Sequence, residues 1–208
     1  MKKYLTLLLL FFAVALLFAA QAQTSRGIQK VEPPEIGPDQ RYALLIGNAK
    51  YKDISPLRNP VNDARAMSST LRELGFNVKL LEDASKRKMK KAIDRFGKQL
   101  KQGGFGLFYY SGHGMQVEGR NYLIPVDATI SGESDIEYES VNAGRVLGKM
   151  KDAKNFMNLV ILDACRNNPY VSSYKGINPG LATLNAPSGT LIAYATAPGM
   201  IALDGKGS

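Results

Sequence analysis

Short apolar runs alternate with amphipathic segments along most of the chain, beginning at Arg41. Runs of this length predict buried β-strands, and the segments between them predict helices. The strands are expected at Tyr42 to Gly47, Phe76 to Leu81, Gly106 to Ser111, Met157 to Asp163 and Thr190 to Ala195. Strands that alternate with helices in this way favour an α/β fold with a mostly parallel sheet.

Two of the intervening segments carry apolar residues at helical spacing. The first runs from Val61 to Leu74 and stops at Gly75, and the second runs from Ser85, a suitable N-cap, to Lys101. Their expected core stripes are Ala64, Met67, Leu71 and Leu74 in the first and Met89, Ile93, Phe96 and Leu100 in the second. The remaining elements are a hairpin around Val117 to Leu123, turning at Glu118-Gly119-Arg120, and a helix from about Asn142 to Met150. Together they predict a three-layer α/β/α sandwich around a mostly parallel central sheet.

The N-terminal residues are typical of a secretory signal. Lys2 and Lys3 precede an apolar run, and Ala20-Gln21-Ala22 forms a small-residue cleavage site. We expect a signal peptide over residues 1–22, export to the periplasm or the extracellular space, and no membrane contact after cleavage. An uncleaved anchor is the alternative, because the apolar run is near the lower limit of about 17 residues for a spanning helix. Residues 23–40 are polar and contain prolines, which predicts a linker into a domain over residues 41–208.

The composition of the chain excludes several kinds of site and partner. The chain has 208 residues, a formal net charge of +9 and a single cysteine. One cysteine excludes an intramolecular disulfide and a multi-thiolate zinc site. The basic residues are dispersed, and their densest cluster, Lys86 to Lys91, lies within one predicted helix, where a solvated face is the expected explanation. We therefore expect no nucleic-acid partner.

The single histidine and the single cysteine both fall at the carboxyl ends of predicted central strands, where open α/β sheets place their sites. A neighbouring imidazole can help a thiol ionise, so His113 and Cys165 are candidates for an acid/base and a nucleophile. The amides of Gly114 and Cys165 could bind a developing oxyanion. The alternatives are a satisfied histidine in a turn and a small buried cysteine, and neither explains the pairing or the flanking glycines.

Two motifs resemble the histidine and cysteine motifs of caspase-like cysteine peptidases, the group that includes caspases, metacaspases and their bacterial relatives. They are YYSGHG at Tyr109 to Gly114 and LDACRNNP at Leu162 to Pro169. Further similar segments are RYALLIGNAKY at Arg41 to Tyr51, RNPVNDA at Arg58 to Ala64, NYLIPVDA at Asn121 to Ala128 and ATAPG at Ala195 to Gly199. The resemblance implies a caspase-like fold and a cysteine endopeptidase in which His113 is the general acid/base and Cys165 the nucleophile.

The same resemblance bears on specificity. Asp63 matches an acidic residue that lines the primary pocket of metacaspase-like members together with the residue matching Ser111, and Asp163 stands where animal caspases have Gln. Two carboxylates would attract Arg or Lys before the scissile bond. The expected substrates are therefore proteins or peptides cleaved after Arg or Lys. The alternatives are that Asp63 caps a helix and that Asp163 only orients its loop.

No cofactor is required by this chemistry, but some metacaspases need calcium. An acidic stretch could supply oxygen ligands, with a solvated acidic loop as the alternative. It comprises Asp127, Glu133, Asp135, Glu137 and Glu139. The long segment from Arg166 to Gly189 is where related peptidases cut themselves, and Lys175 is the candidate position.

The similarity corresponds to the larger catalytic subunit of the family. The sequence ends at Ser208, so we expect the smaller-subunit region to be missing or to be supplied by a partner. A caspase-like module that binds a partner protein without catalysis is the alternative function.

Overall fold

The computed structural model describes residues 40–165, 177–178 and 181–195. Its strands are β1 (Arg41–Gly47), β2 (Asn77–Glu82), β3 (Phe105–Val117), β4 (Arg120–Leu123), β5 (Val141–Asn142), β6 (Met157–Cys165), β7 (Ile177–Asn178) and β8 (Thr190–Tyr194). Its helices are α1 (Pro60–Glu73), α2 (Lys86–Leu100), α3 (Asp135–Glu139) and α4 (Gly144–Ala153). None of the helices in these ranges is long and apolar enough to cross a membrane.

The central sheet is parallel and has the strand order β2-β1-β3-β6-β8. Beyond the parallel part, β3 continues into a hairpin with β4, and β4 pairs in turn with β5. Strand β7 also pairs with the last residues of β3. The central strand β3 therefore belongs to a parallel sheet in its first half and to an antiparallel one in its second.

Helices cover both faces of the sheet. Helix α1 packs its Ala64 and Leu71 against Leu45 and Tyr109 on one face. On the other face, apolar residues of α2 and α4 share one core with β1, β3 and β6. This arrangement confirms the predicted three-layer α/β/α sandwich with a mostly parallel sheet.

The second predicted stripe is confirmed, and the first is wrong at its last position. Leu74 is 56% exposed, because the helix ends before it. Gly75 has a φ of +79°, and the amides of Gly75 and Phe76 donate to the carbonyls of Arg72 and Leu71, which is a Schellman motif. The chain thus turns away from the helix axis at Leu74. The Ser85 cap is confirmed, since its hydroxyl accepts from the Lys88 amide at 3.4 Å.

Two other expected boundaries also differ. The third strand was expected to end at Ser111 but continues to Val117, because the residues after Ser111 keep pairing, first with β6 and then with β4. The helix expected from Asn142 begins at Gly144, because Asn142 pairs in β5 with Tyr122. The hairpin with its turn at Glu118 and Gly119 is confirmed.

Asn48, which directly follows β1, connects the end of this strand to two other backbone segments through hydrogen bonds. It is fully buried, its side-chain amide donates to the Ile124 carbonyl at 3.0 Å, and its side-chain oxygen accepts from the Ala84 amide at 2.9 Å. We expect Asn48→Ala to lower the free energy of unfolding by about 1–3 kcal/mol, because the buried Ala84 amide loses its partner while the Ile124 carbonyl keeps the Tyr110 hydroxyl. Urea denaturation measures this loss. The exposed Asn77→Ala is the control, with an expected change within about 0.5 kcal/mol; equal effects of the two substitutions would contradict the assignment.

Candidate active site

Strands β3 and β6 bring the backbones of the histidine and the cysteine together. In their parallel register, His113 is the direct partner of Cys165. Neighbouring strands lie about 4.8 Å apart, so the two residues are adjacent although 52 positions separate them in the sequence. Both lie on strands and not in the loops beyond them. The structure describes Cys165 through its backbone, as the last residue of β6.

The imidazole of His113 is held by a carbonyl oxygen. The side chain is only 4% exposed, and its Nε2 lies 2.9 Å from the carbonyl oxygen of Ser55. Because a carbonyl only accepts hydrogen bonds, Nε2 carries the proton. In the neutral ring Nδ1 therefore has the lone pair that a base needs. Ser55 could not be predicted as a partner of His113, because every residue has a backbone carbonyl and residue type does not reveal this contact.

Gly114 follows the last residue pair of the β3–β6 ladder and begins the pairing with β4, opposite Leu123. A Cβ atom at this position would lie 2.9 Å from the Cβ of Ala164 and 3.2 Å from Cδ2 of Leu181. The close packing around this position thus explains why the residue is a glycine. The same position places the Gly114 amide within one residue of the His113–Cys165 pair.

The acidic residues expected in a substrate pocket gather around a tyrosine. Asp163 is the register partner of Ser111, and its Oδ2 lies 3.5 Å from the Ser111 Oγ and 3.3 Å from the Tyr109 Oη. Burial raises the pKa of Tyr109, and the carboxylates of Asp163 and Asp63 raise this pKa further. Asp63, in the first turn of α1, therefore acts on the same phenol as Asp163.

The structure thus brings Asp63, Ser111 and Asp163 into one region, with Asp63 exposed and Asp163 half-buried. Tyr109 was not among the residues predicted for this group. Its position two residues before Ser111 on a strand, which puts both side chains on one face, was the available signal.

The acidic stretch does not form a comparable cluster. An oxygen of Asp127 accepts from the Lys86 amide at 2.8 Å, and an oxygen of Asp135 accepts from the amides of Ser131 and Gly132 at 2.9 Å each. Both carboxylates therefore already accept hydrogen bonds from backbone amides. In the described ranges no three His, Cys, Asp or Glu side chains gather as metal ligands would.

Several other expectations lie outside the described residues. They are the signal peptide over residues 1–22, the linker apart from residue 40, and the self-cleavage position Lys175.

Comparison with known proteins identifies the family of this domain. A family model described as the caspase domain matches residues 40–208. The human mucosa-associated lymphoid tissue lymphoma translocation protein 1 and its mouse homologue are each 32% identical to this chain over 164 residues. These matches cover 79% of this chain and 19% of each relative, so the chain spans about a fifth of the length of the curated relatives it matches.

Among solved structures, the Drosophila initiator caspase Dronc superposes with a TM-score of 0.52 at 17% identity, over 78% of this chain and 58% of that one. This similarity concerns the fold alone. The family match, in contrast, spans the domain that carries both motifs. The chain therefore belongs to the caspase family, a cysteine-peptidase type of family that acts on protein substrates.

Proposed function

We propose that this chain is an exported cysteine endopeptidase that cleaves proteins after Arg or Lys. The observation that carries the proposal is the register of β3 and β6, which sets His113 directly beside Cys165. A thiol and an imidazole on neighbouring strand positions are the minimal set for nucleophilic attack on a peptide carbonyl. The predicted leader supports an activity outside the cytoplasm.

In the proposed mechanism, Nδ1 of His113 takes the proton of the Cys165 thiol, and the thiolate attacks the carbonyl carbon of the scissile bond. The new C–S bond gives a tetrahedral oxyanion, which accepts hydrogen bonds from the amides of Gly114 and Cys165. The imidazolium then protonates the leaving amine as the C–N bond breaks. Water, deprotonated by the same nitrogen, hydrolyses the thioester and returns the thiol.

The acidic group around Tyr109 supports the preference for basic substrates. Asp163 is half-buried and Asp63 is exposed, and both carboxylates act on Tyr109, so together they offer negative charge beside the proposed catalytic pair. A guanidinium can bind a carboxylate through two parallel hydrogen bonds, whereas an ammonium acts as a point charge. We therefore expect Arg to be preferred over Lys.

A panel of fluorogenic peptides ending in Arg, Lys or Asp tests the proposal, with the chain from Gln23 onward and Cys165→Ala as control. Cleavage after Arg and Lys that is absent in the control is the expected result, and it should be the same with and without calcium. Cleavage after Asp alone would agree with Cys165 as the nucleophile but contradict the proposed acidic pocket. No cleavage of any peptide would contradict the proposed enzyme.

A non-catalytic binding module is the second candidate, and one observation favours it. Within the described ranges β8 pairs only with β6, and Leu191 on β8 is 57% exposed. An apolar sheet edge of this kind can bind another chain. A thiol-reactive peptide with a terminal Arg distinguishes the two candidates, because only an assembled catalytic site would select that peptide over one with a terminal Asp.

A further inference from the structure

Two tyrosine hydroxyls contact the backbone of His113 from both sides of the residue. The His113 amide donates to the Tyr51 hydroxyl at 2.7 Å. The Tyr110 hydroxyl lies 2.6 Å from the His113 carbonyl oxygen, to which it donates, and 3.5 Å from the Tyr51 hydroxyl. All three residues are buried.

The donors and acceptors of this group close a circuit. The His113 amide donates to Tyr51, the Tyr51 hydroxyl can donate to Tyr110, and the Tyr110 hydroxyl donates to the His113 carbonyl. The Tyr110 hydroxyl also lies 3.0 Å from the Ile124 carbonyl oxygen, but the His113 carbonyl oxygen, at 2.6 Å, is the nearer acceptor for its single proton. Hydrogen bonds in a buried chain of this kind polarise and strengthen one another.

Gly112 makes room for the circuit. A Cβ atom there would lie 2.6 Å from the Tyr51 hydroxyl oxygen and 2.8 Å from the Tyr110 hydroxyl oxygen, closer than carbon and oxygen can approach. Its φ of +155° is also one that other residues rarely adopt. A glycine is therefore needed at position 112, because a side chain there would prevent the two tyrosine hydroxyls from reaching the backbone of His113.

Tyr51 also contacts the side chain of the histidine. The two rings lie 4.6 Å apart, centroid to centroid, at 56° to each other. Four residues further along the same loop, the Ser55 carbonyl holds Nε2. The loop is fixed at its start, where an oxygen of Asp83 accepts from the amides of Ala49 and Lys50 at 2.8 and 2.9 Å.

We propose that Tyr51 is a positioning residue for His113: it fixes the histidine backbone through its hydroxyl and the imidazole through its ring, so that Nε2 stays on Ser55 and Nδ1 remains the basic nitrogen. This inference rests on the proposed acid/base function of His113. Neither the family match nor the sequence motifs assign Tyr51 such a part.

The single histidine of the chain makes the test specific, because its imidazole nitrogens give the only histidine signals in a nitrogen NMR spectrum. Spectra of Cys165→Ala protein are recorded at about pH 8.5, well above the ordinary histidine pKa of ~6.5. We expect the Nε2–H tautomer with Tyr51 and a mixture of tautomers after Tyr51→Phe. In the active protein the same substitution should lower kcat roughly tenfold, the effect of one hydrogen bond, with KM little changed.

Tyr42→Phe is the matched control. Tyr42 is equally buried, and its hydroxyl donates to Oε1 of Gln102 at 2.7 Å, but it lies near the start of β1, away from the site. A single tautomer and an unchanged kcat in Tyr51→Phe, as in Tyr42→Phe, would overturn the proposal. If Tyr51→Phe does not fold, Tyr110→Phe breaks the same circuit and gives the same readout.

The tautomer does not depend on peptidase activity. A tautomer mixture in Tyr51→Phe together with an inactive parent protein would support the positioning of the ring and contradict only the proposed function.

Discussion

His113→Ala should lower kcat/KM for an Arg-terminated peptide by at least about a thousandfold. Without the imidazole, the thiol has an ordinary pKa of ~8.5, so only a few per cent is thiolate at neutral pH. The leaving amine also loses its proton donor. His113 and Cys165 occupy one register position on adjacent strands. The chain contains no second histidine that could replace His113 as the base.

Steady-state hydrolysis measures the loss, and alkylation of the single cysteine by iodoacetamide provides a second readout. We expect the parent protein to react several times faster than His113→Ala at about pH 6.5, where an unassisted thiol is protonated. Combining His113→Ala with Cys165→Ala should cost no more than either substitution alone, since the two residues act as a unit. More than a tenth of the parent kcat/KM in His113→Ala would show that another group is the base.

Asp163→Asn should lower kcat/KM for Arg peptides by about a hundredfold or more, because truncating one partner of a buried charge pair costs about 2–5 kcal/mol. The amide oxygen can still accept from Tyr109 and Ser111, so the fold and the pocket shape should persist. The loss should therefore appear mainly in peptides with a basic residue, while hydrolysis of a peptide with a neutral residue at that position changes little.

Asp152→Asn is the control for this prediction. Asp152 is an exposed carboxylate in the last turn of α4, away from the site. Asp63→Asn should have an intermediate effect, because Asp63 is exposed and its charge is screened by water. An unchanged ratio of Arg to neutral peptide hydrolysis in Asp163→Asn would refute the acidic pocket.

The sequence sufficed to predict the parallel strands, the helices α1, α2 and α4, and the pairing of His113 with Cys165, because each depends on local periodicity and on the rule that parallel strands end together; it did not predict α3, β5 or β7. It failed at Leu74, since the helical spacing continues there while Gly75 has already turned the chain. It also ended the third strand too early, because Gly and His residues locally favour a turn and only the neighbouring strands keep them extended.

The contacts of His113 could not be predicted from the sequence for a different reason. Tyr51 and Ser55 are 62 and 58 residues away from His113 and meet it only once β1 and β3 have paired. One of the two contributes a carbonyl oxygen, which every residue possesses. Such partners follow from tertiary geometry and not from residue type.

The double membership of β3 limits how this domain can be regulated. A strand bonded to β1 and β6 along one half and to β4 along the other has amide hydrogens that should exchange with solvent only when the whole domain opens. Displacing the backbone of His113 would thus require global unfolding, whereas its imidazole can reorient without it. We therefore expect an on–off switch to act on the cysteine, on the access of substrate or on the orientation of the imidazole, and not on the backbone of the histidine.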